Sequence, residues 1–161
     1  MIIVLMGVSG AGKSTVGKLL ADGLGWSFYE GDDFHPRSNV VKMAQGIPLT
    51  DDDRWPWLRR IRLLIDDLIS SGRNGVITSS ALKQTYRDEL VGSEDDVKLV
   101  YLKGEYGLIL SRLEERQDHF MEVGLLESQF QTMEEPVGAV TLDVTSNPEV
   151  IVAGVKSALG L

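Results

Sequence analysis

Apolar, largely β-branched runs of strand length recur along the chain at residues 2–6, 27–29, 76–78, 97–102 and 139–144. Between them the apolar positions shift to helical spacing, at 15–24, 52–70, 83–91, 106–115 and 149–159. Strands that alternate with helices predict βαβ units: an α/β fold with a parallel sheet, helices on both faces and right-handed crossovers. In the longest helix Trp57, Leu58, Ile61, Leu64, Ile65 and Leu68 form one stripe, which reads as core. Thr50 or Asp51 can cap that helix, and Asp51, Asp52 and Asp53 suit its positive end.

Two stretches do not read as core elements. Residues 31–49 are polar and punctuated by Pro36, Gly46 and Pro48. Residues 116–131 mix charged and amide side chains with Phe120, Leu125 and Leu126. Long segments of this kind in a compact domain are often substrate loops or lids. The chain therefore reads as one domain over 1–161, with a substrate region at about 31–58 and a cover at about 116–131.

The first strand runs straight into Gly7-Val8-Ser9-Gly10-Ala11-Gly12-Lys13-Ser14-Thr15, where a Gly and four free positions precede Gly-Lys-Ser. With a strand before it and a helix after it, this is a P-loop. The backbone N–H groups of Gly7, Ser9, Gly10, Ala11, Gly12 and Thr15, together with the helix N-terminus, suit phosphate oxygens. Lys13 would reach the β/γ-phosphates of ATP, and the Ser14 hydroxyl would ligate Mg²⁺.

Composition narrows the picture further. The chain has 161 residues, 43% hydrophobic and 25% charged, enough for one domain with a real core. A net charge of −8 argues against general binding to nucleic acid or a membrane surface, so an anionic substrate needs a local basic cluster. With no cysteine there is neither a disulfide framework nor a thiolate metal site, which fits a cytoplasmic location. No apolar run approaches the roughly 20 residues needed to span a bilayer. No basic region precedes the first apolar run in the manner of a signal peptide.

Asp32 follows the second strand at the carboxyl end of the sheet, where it can accept a proton from an attacking hydroxyl, hold that hydroxyl, or simply cap a turn. Arg54 stands near the start of the long helix, where the dipole disfavours a cation. Lys83 and Arg87 are four apart and share a helical face, so both can meet one anion; Arg87 can equally pair with Asp88 or Glu89. Arg112 and Arg116 have the same spacing, with salt bridges to Glu114, Glu115 or Asp118 as the alternative. Asn147 can cap the last helix, with Pro148 in its first turn. No acidic residue ends the fourth strand, which closes Tyr101-Leu102-Lys103-Gly104.

The combination Gly31-Asp32-Asp33-Phe34-His35-Pro36, Gly46-Ile47-Pro48-Leu49-Thr50-Asp51 and Ser80-Ala81-Leu82-Lys83 resembles the gluconate kinase family of small P-loop kinases, over nearly the whole chain. Shikimate kinases and nucleoside monophosphate kinases are the nearest relatives in fold. The resemblance implies a P-loop NTPase fold of the nucleoside-monophosphate-kinase type, with a five-stranded parallel sheet and a lid. It implies ATP and D-gluconate as partners, 6-phospho-D-gluconate as product, Mg²⁺ as cofactor, a cytoplasmic setting and a homodimer. Lys13, Asp32 and Arg116 become the catalytic candidates, with Ser14 and Asp32 for the metal. Arg112, Asn147 and Pro148 would frame adenine. Asp32, His35, Arg54, Lys83, Arg87 and His119 would hold the sugar acid, with Phe120 and Gln129 as further cover residues.

Overall fold

A computed structural model of the chain describes residues 1–116 and 123–161. Among them, five parallel strands form one sheet in the order β2-β3-β1-β4-β5: β1 Ile2–Met6, β2 Ser27–Tyr29, β3 Gly75–Ser79, β4 Val97–Lys103 and β5 Val140–Asp143. All five residues of β1, and all five of β3, are buried, as central parallel strands covered on both faces must be.

Among the described residues seven α-helices link or follow the strands: α1 Lys13–Leu24, α2 Arg37–Ala44, α3 Asp51–Ser70, α4 Gln84–Val91, α5 Tyr106–Glu115, α6 Val123–Thr132 and α7 Pro148–Leu159. α1 packs with α7, and α3 packs with α4. Right-handed crossovers from this strand order place the first pair on one face of the sheet and the second pair on the other. Trp57, Leu58, Ile61, Ile65 and Leu68 are buried on α3 as expected, whereas Leu64 is only partly buried. Thr50 caps α3 reciprocally with Asp53: the Thr50 hydroxyl accepts from the Asp53 N–H, and the Asp53 carboxylate accepts from the Thr50 N–H.

Two readings of the sequence change. Residues 31–49 contain a 3₁₀ turn over Gly31–Phe34 and the helix α2, and 116–131 contains most of α6. α2 escaped notice because its pattern is inverted: polar Asn39 is buried, while Val40 and Val41 face solvent. No helix of the described residues is long and apolar enough to cross a membrane.

Candidate active site

Helix α1 begins without a side-chain cap. Gly12 holds its N-cap position at φ 92, a left-handed conformation that favours glycine. The first N–H groups of α1 therefore point, unclaimed by any cap, into the loop Gly7–Gly12. Lys13 Nζ folds back over that loop and donates to the carbonyls of Gly7 and Val8, both at 2.9 Å. The Ser9 N–H donates to Gln129 Oε1 of α6 at 2.7 Å.

From the loop a cavity of about 330 Å³ extends along the carboxyl ends of β1, β2 and β3. Its polar wall carries Lys13, Ser14, Glu30, Asp32, His35, Arg54 and Arg116; Met43, Ile47, Leu49, Leu82 and Leu125 make it apolar elsewhere. Eleven of the sequence-predicted residues — Ser9, Gly10, Gly12, Lys13, Ser14, Thr15, Asp32, His35, Arg54, Arg116 and Gln129 — thus share one hollow. Gly7 and buried Ala11 lie behind it in the loop.

Electrostatics couples the centre of this wall. Desolvation raises the Asp32 carboxyl above its usual range, opposed by the Lys13 ammonium and reinforced by Glu30 and Asp33. Desolvation lowers Lys13 in turn, against the attraction of Asp32 and Glu30. A carboxylate raised in this way is a better proton acceptor than an ordinary aspartate. Burial, with the nearby Arg54 cation, pushes His35 down to about 4, so its ring is neutral at physiological pH.

Glu30 is the functional candidate that sequence reasoning missed. It follows β2 directly, and its Oε2 accepts from Ser14 Oγ at 2.5 Å. Its other oxygen accepts from the Thr78 hydroxyl, which itself accepts from the Gly31 N–H at 3.0 Å. A carboxylate at the end of β2, not of β4, thus stands beside the P-loop serine. The clue was present in Tyr29-Glu30-Gly31-Asp32: two carboxylates flank a glycine at the mouth of a strand.

The cationic candidates separate. Arg54 lines the cavity, held by the Tyr86 hydroxyl at 3.1 Å from Nη1 and by the Tyr86 ring 5.4 Å below its guanidinium. Lys83 stands at the N-cap of α4 outside that wall and pairs with Asp51 at 3.0 Å; Tyr86 also donates to Asp51. Arg87 does not reach the cavity at all. It is 2% exposed, and its Nη1 donates to the carbonyls of Ala81 and Leu82 at 3.0 and 3.1 Å. Ala81 has φ 41, strained for a residue with a side chain. The guanidinium therefore braces the turn that brings Ser80 and Leu82 to the cavity. It holds two carbonyls, not an anion, and its expected surface ion pair is also replaced.

Arg112 lies away from the cavity and donates from Nη2 to the Val144 carbonyl at 2.5 Å, tying α5 to the turn after β5. Asn147 caps α7 there, accepting from the Val150 N–H at 3.0 Å, with Pro148 in the first turn. His119 and Phe120 fall outside the described residues.

Comparison with known proteins follows the same lines. Residues 2–137 match the family model described as an AAA domain. A probable gluconokinase of Mus musculus is 40% identical, over 98% of this chain and 97% of its own. The thermosensitive gluconokinase of Escherichia coli (strain K12) is 46% identical, over 83% of this chain and 71% of its own. The crystal structure of a gluconokinase from Sinorhizobium meliloti 1021 superposes with a TM-score of 0.85 at 42% identity, covering 98% of this chain and 90% of its own. Shikimate kinase from Aquifex aeolicus shares the fold alone, at 20% identity and a TM-score of 0.61.

Proposed function

Because the chain belongs to the gluconokinase family of P-loop kinases, we propose that it transfers the γ-phosphoryl group of ATP to D-gluconate, giving ADP and 6-phospho-D-gluconate. The observation that carries this reading is the single hollow running from the uncapped start of α1 to Asp32, His35 and Arg54. It offers phosphate-binding N–H groups at one end and, at the other, a raised carboxylate, a neutral imidazole and a guanidinium. A phosphate donor and a polyhydroxy acid need that division.

In this reading the primary hydroxyl of gluconate attacks the γ-phosphorus as the bond to the ADP oxygen breaks. Asp32 takes the hydroxyl proton. Lys13 leaves its two loop carbonyls for the phosphate oxygens, and Arg116 approaches the transferring group; both offset the charge spread over its oxygens. Arg54 grips the substrate carboxylate, its plane set by Tyr86. Arg112 steadies the turn bearing Asn147 and Pro148, beside which adenine lies. Lys83 and His119 complete the sugar-acid contacts from the rim and the cover.

The donor set suits Mg²⁺. Ser14 and Glu30 already meet, Asp32 lines the same wall, and all three supply hard oxygen. Among the described residues no cluster of three or more His, Asp or Glu is arranged to hold a metal by itself. Mg²⁺ takes one or two protein carboxylates and completes its shell with phosphate oxygens and water. When bound, it neutralises phosphate charge; Glu30 and Ser14 would hold it, with Asp32 alongside. The reading also carries one domain with a substrate region near 31–58 and a cover near 116–131, a cytoplasmic enzyme and a homodimer. Light scattering on the purified chain tests the last.

ADP release with Mg-ATP should depend on D-gluconate and not on shikimate or AMP. Turnover with another acceptor alone would overturn the substrate assignment and keep the phosphate site. Arg54→Ala should raise KM for gluconate by roughly ten- to a hundredfold, the worth of a charge-assisted hydrogen bond, with kcat little changed. An increase confined to the KM for ATP would place Arg54 elsewhere.

A further inference from the structure

Asn39 is 1% exposed, yet its side chain is polar and it stands behind the cavity wall, not in it. Its Nδ2 donates to the Asp53 carbonyl at 2.8 Å. A backbone carbonyl only accepts, so this contact fixes which end of the amide is the NH₂ group. The same Nδ2 lies 3.1 Å from His35 Nδ1. That ring nitrogen must therefore accept, and the imidazole proton sits on Nε2. The ring plane is fixed independently. His35 stacks on Trp57 with centroids 4.2 Å apart and planes at 15°, and Trp57 is pinned by its Nε1–H to the Gly31 carbonyl at 2.8 Å.

The free edge of the ring looks toward the cavity. His35 Nε2 stands 3.8 Å from Asp32 Oδ1, too far for a direct hydrogen bond. An imidazole donor and a carboxylate acceptor at that spacing can share one hydroxyl: its proton goes to Asp32, and its oxygen accepts from His35. A carbonyl oxygen in the same place can accept from His35 but has nothing to give Asp32.

We propose that Asn39 is a positioning residue that sets His35 as the Nε2–H tautomer, and that the Asp32–His35 pair thereby selects a hydroxyl over a keto oxygen on the sugar acid. This rests on the cavity being the sugar-acid site. Arg54 on α3 and Asp32 on the 3₁₀ turn are the charged groups facing the ring among the described residues; Asn39 on α2 and Trp57 on α3 are neutral.

The chain has two histidines, His35 and His119, so a long-range proton–nitrogen correlation spectrum of the full chain is readily assigned against His119→Gln. At neutral pH, without ligands, His35 should show a protonated Nε2 and a bare Nδ1; a protonated Nδ1 would overturn the proposal. Asn39→Leu should lose that single tautomer and lower kcat/KM for gluconate by about tenfold or more, with KM for ATP nearly unchanged. If that variant does not fold, a second pair decides. His35→Gln keeps an amide donor near the Nε2 position and should exceed His35→Asn in kcat/KM by about tenfold, since Asn places its donor near Nδ1. Equal loss in the two would remove the donor role. Gluconate turnover with the wrong tautomer would sink this proposal alone, while the right tautomer without gluconate turnover would sink the substrate assignment alone.

Discussion

Lys13→Ala is expected to lower kcat by about three orders of magnitude, or roughly 4 kcal/mol of transition-state stabilisation. Two losses combine in that figure. The ammonium no longer meets the phosphate oxygens as charge shifts toward the leaving ADP. Asp32 also loses the cation that opposes its desolvation, so its carboxyl rises further and a smaller fraction is ionised at neutral pH. The acidic limb of the pH–rate profile should accordingly move to higher pH, the direction that removal of a positive neighbour requires. The fold should survive, because the side chain bonds to two carbonyls of its own loop and, among the described residues, ties no other element to it. Steady-state kinetics with a melting curve checks both halves. Near-normal kcat would remove Lys13 from the phosphate site, and a collapsed melting curve would make the loss structural.

Gly31→Ala should be nearly as damaging by a different route. A Cβ at Gly31 would stand 1.8 Å from the Thr78 carbonyl oxygen and 2.9 Å from its carbonyl carbon. Backbone atoms of a central strand cannot rotate away as a side chain can, so the turn after β2 must move off β3. That movement breaks the Gly31 N–H bond to Thr78 and the Trp57 bond to the Gly31 carbonyl, both buried. Overpacking with two lost buried hydrogen bonds should cost at least about 3 kcal/mol, or a fall in melting temperature of roughly 10 °C. Glu30 and Asp32 flank the displaced residue, so kcat/KM should fall even at temperatures where the variant is folded. An unchanged melting temperature would mean that the turn yields more easily than its contacts imply.

Much of this was legible along the chain. Strand β1, the loop after it and the start of α1 are contiguous, and their spacing alone specifies a phosphate cradle. The alternation of period two and period 3.6 places five strands and most helices, and it puts Asp32 at the mouth of the sheet. Where the sequence reading failed, the partner lay on another element. Arg87 shares a helical face with Lys83, yet it turns inward to the carbonyls of Ala81 and Leu82, across a turn that Ala81 takes at φ 41. α2 was hidden because its one buried polar residue, Asn39, has its partners on other segments, at His35 and Asp53.

The sequence by itself determined the fold class, the phosphate loop and the family, because each rests on residues close in the chain whose spacing sets their geometry. Only the tertiary structure decided that Glu30, not a residue after β4, meets Ser14; that Arg87 braces while Arg54 faces the cavity; and that Asn39 orients His35. Those choices depend on the order β2-β3-β1, which brings segments far apart in sequence to one end of the sheet, where buried donors and acceptors must find each other.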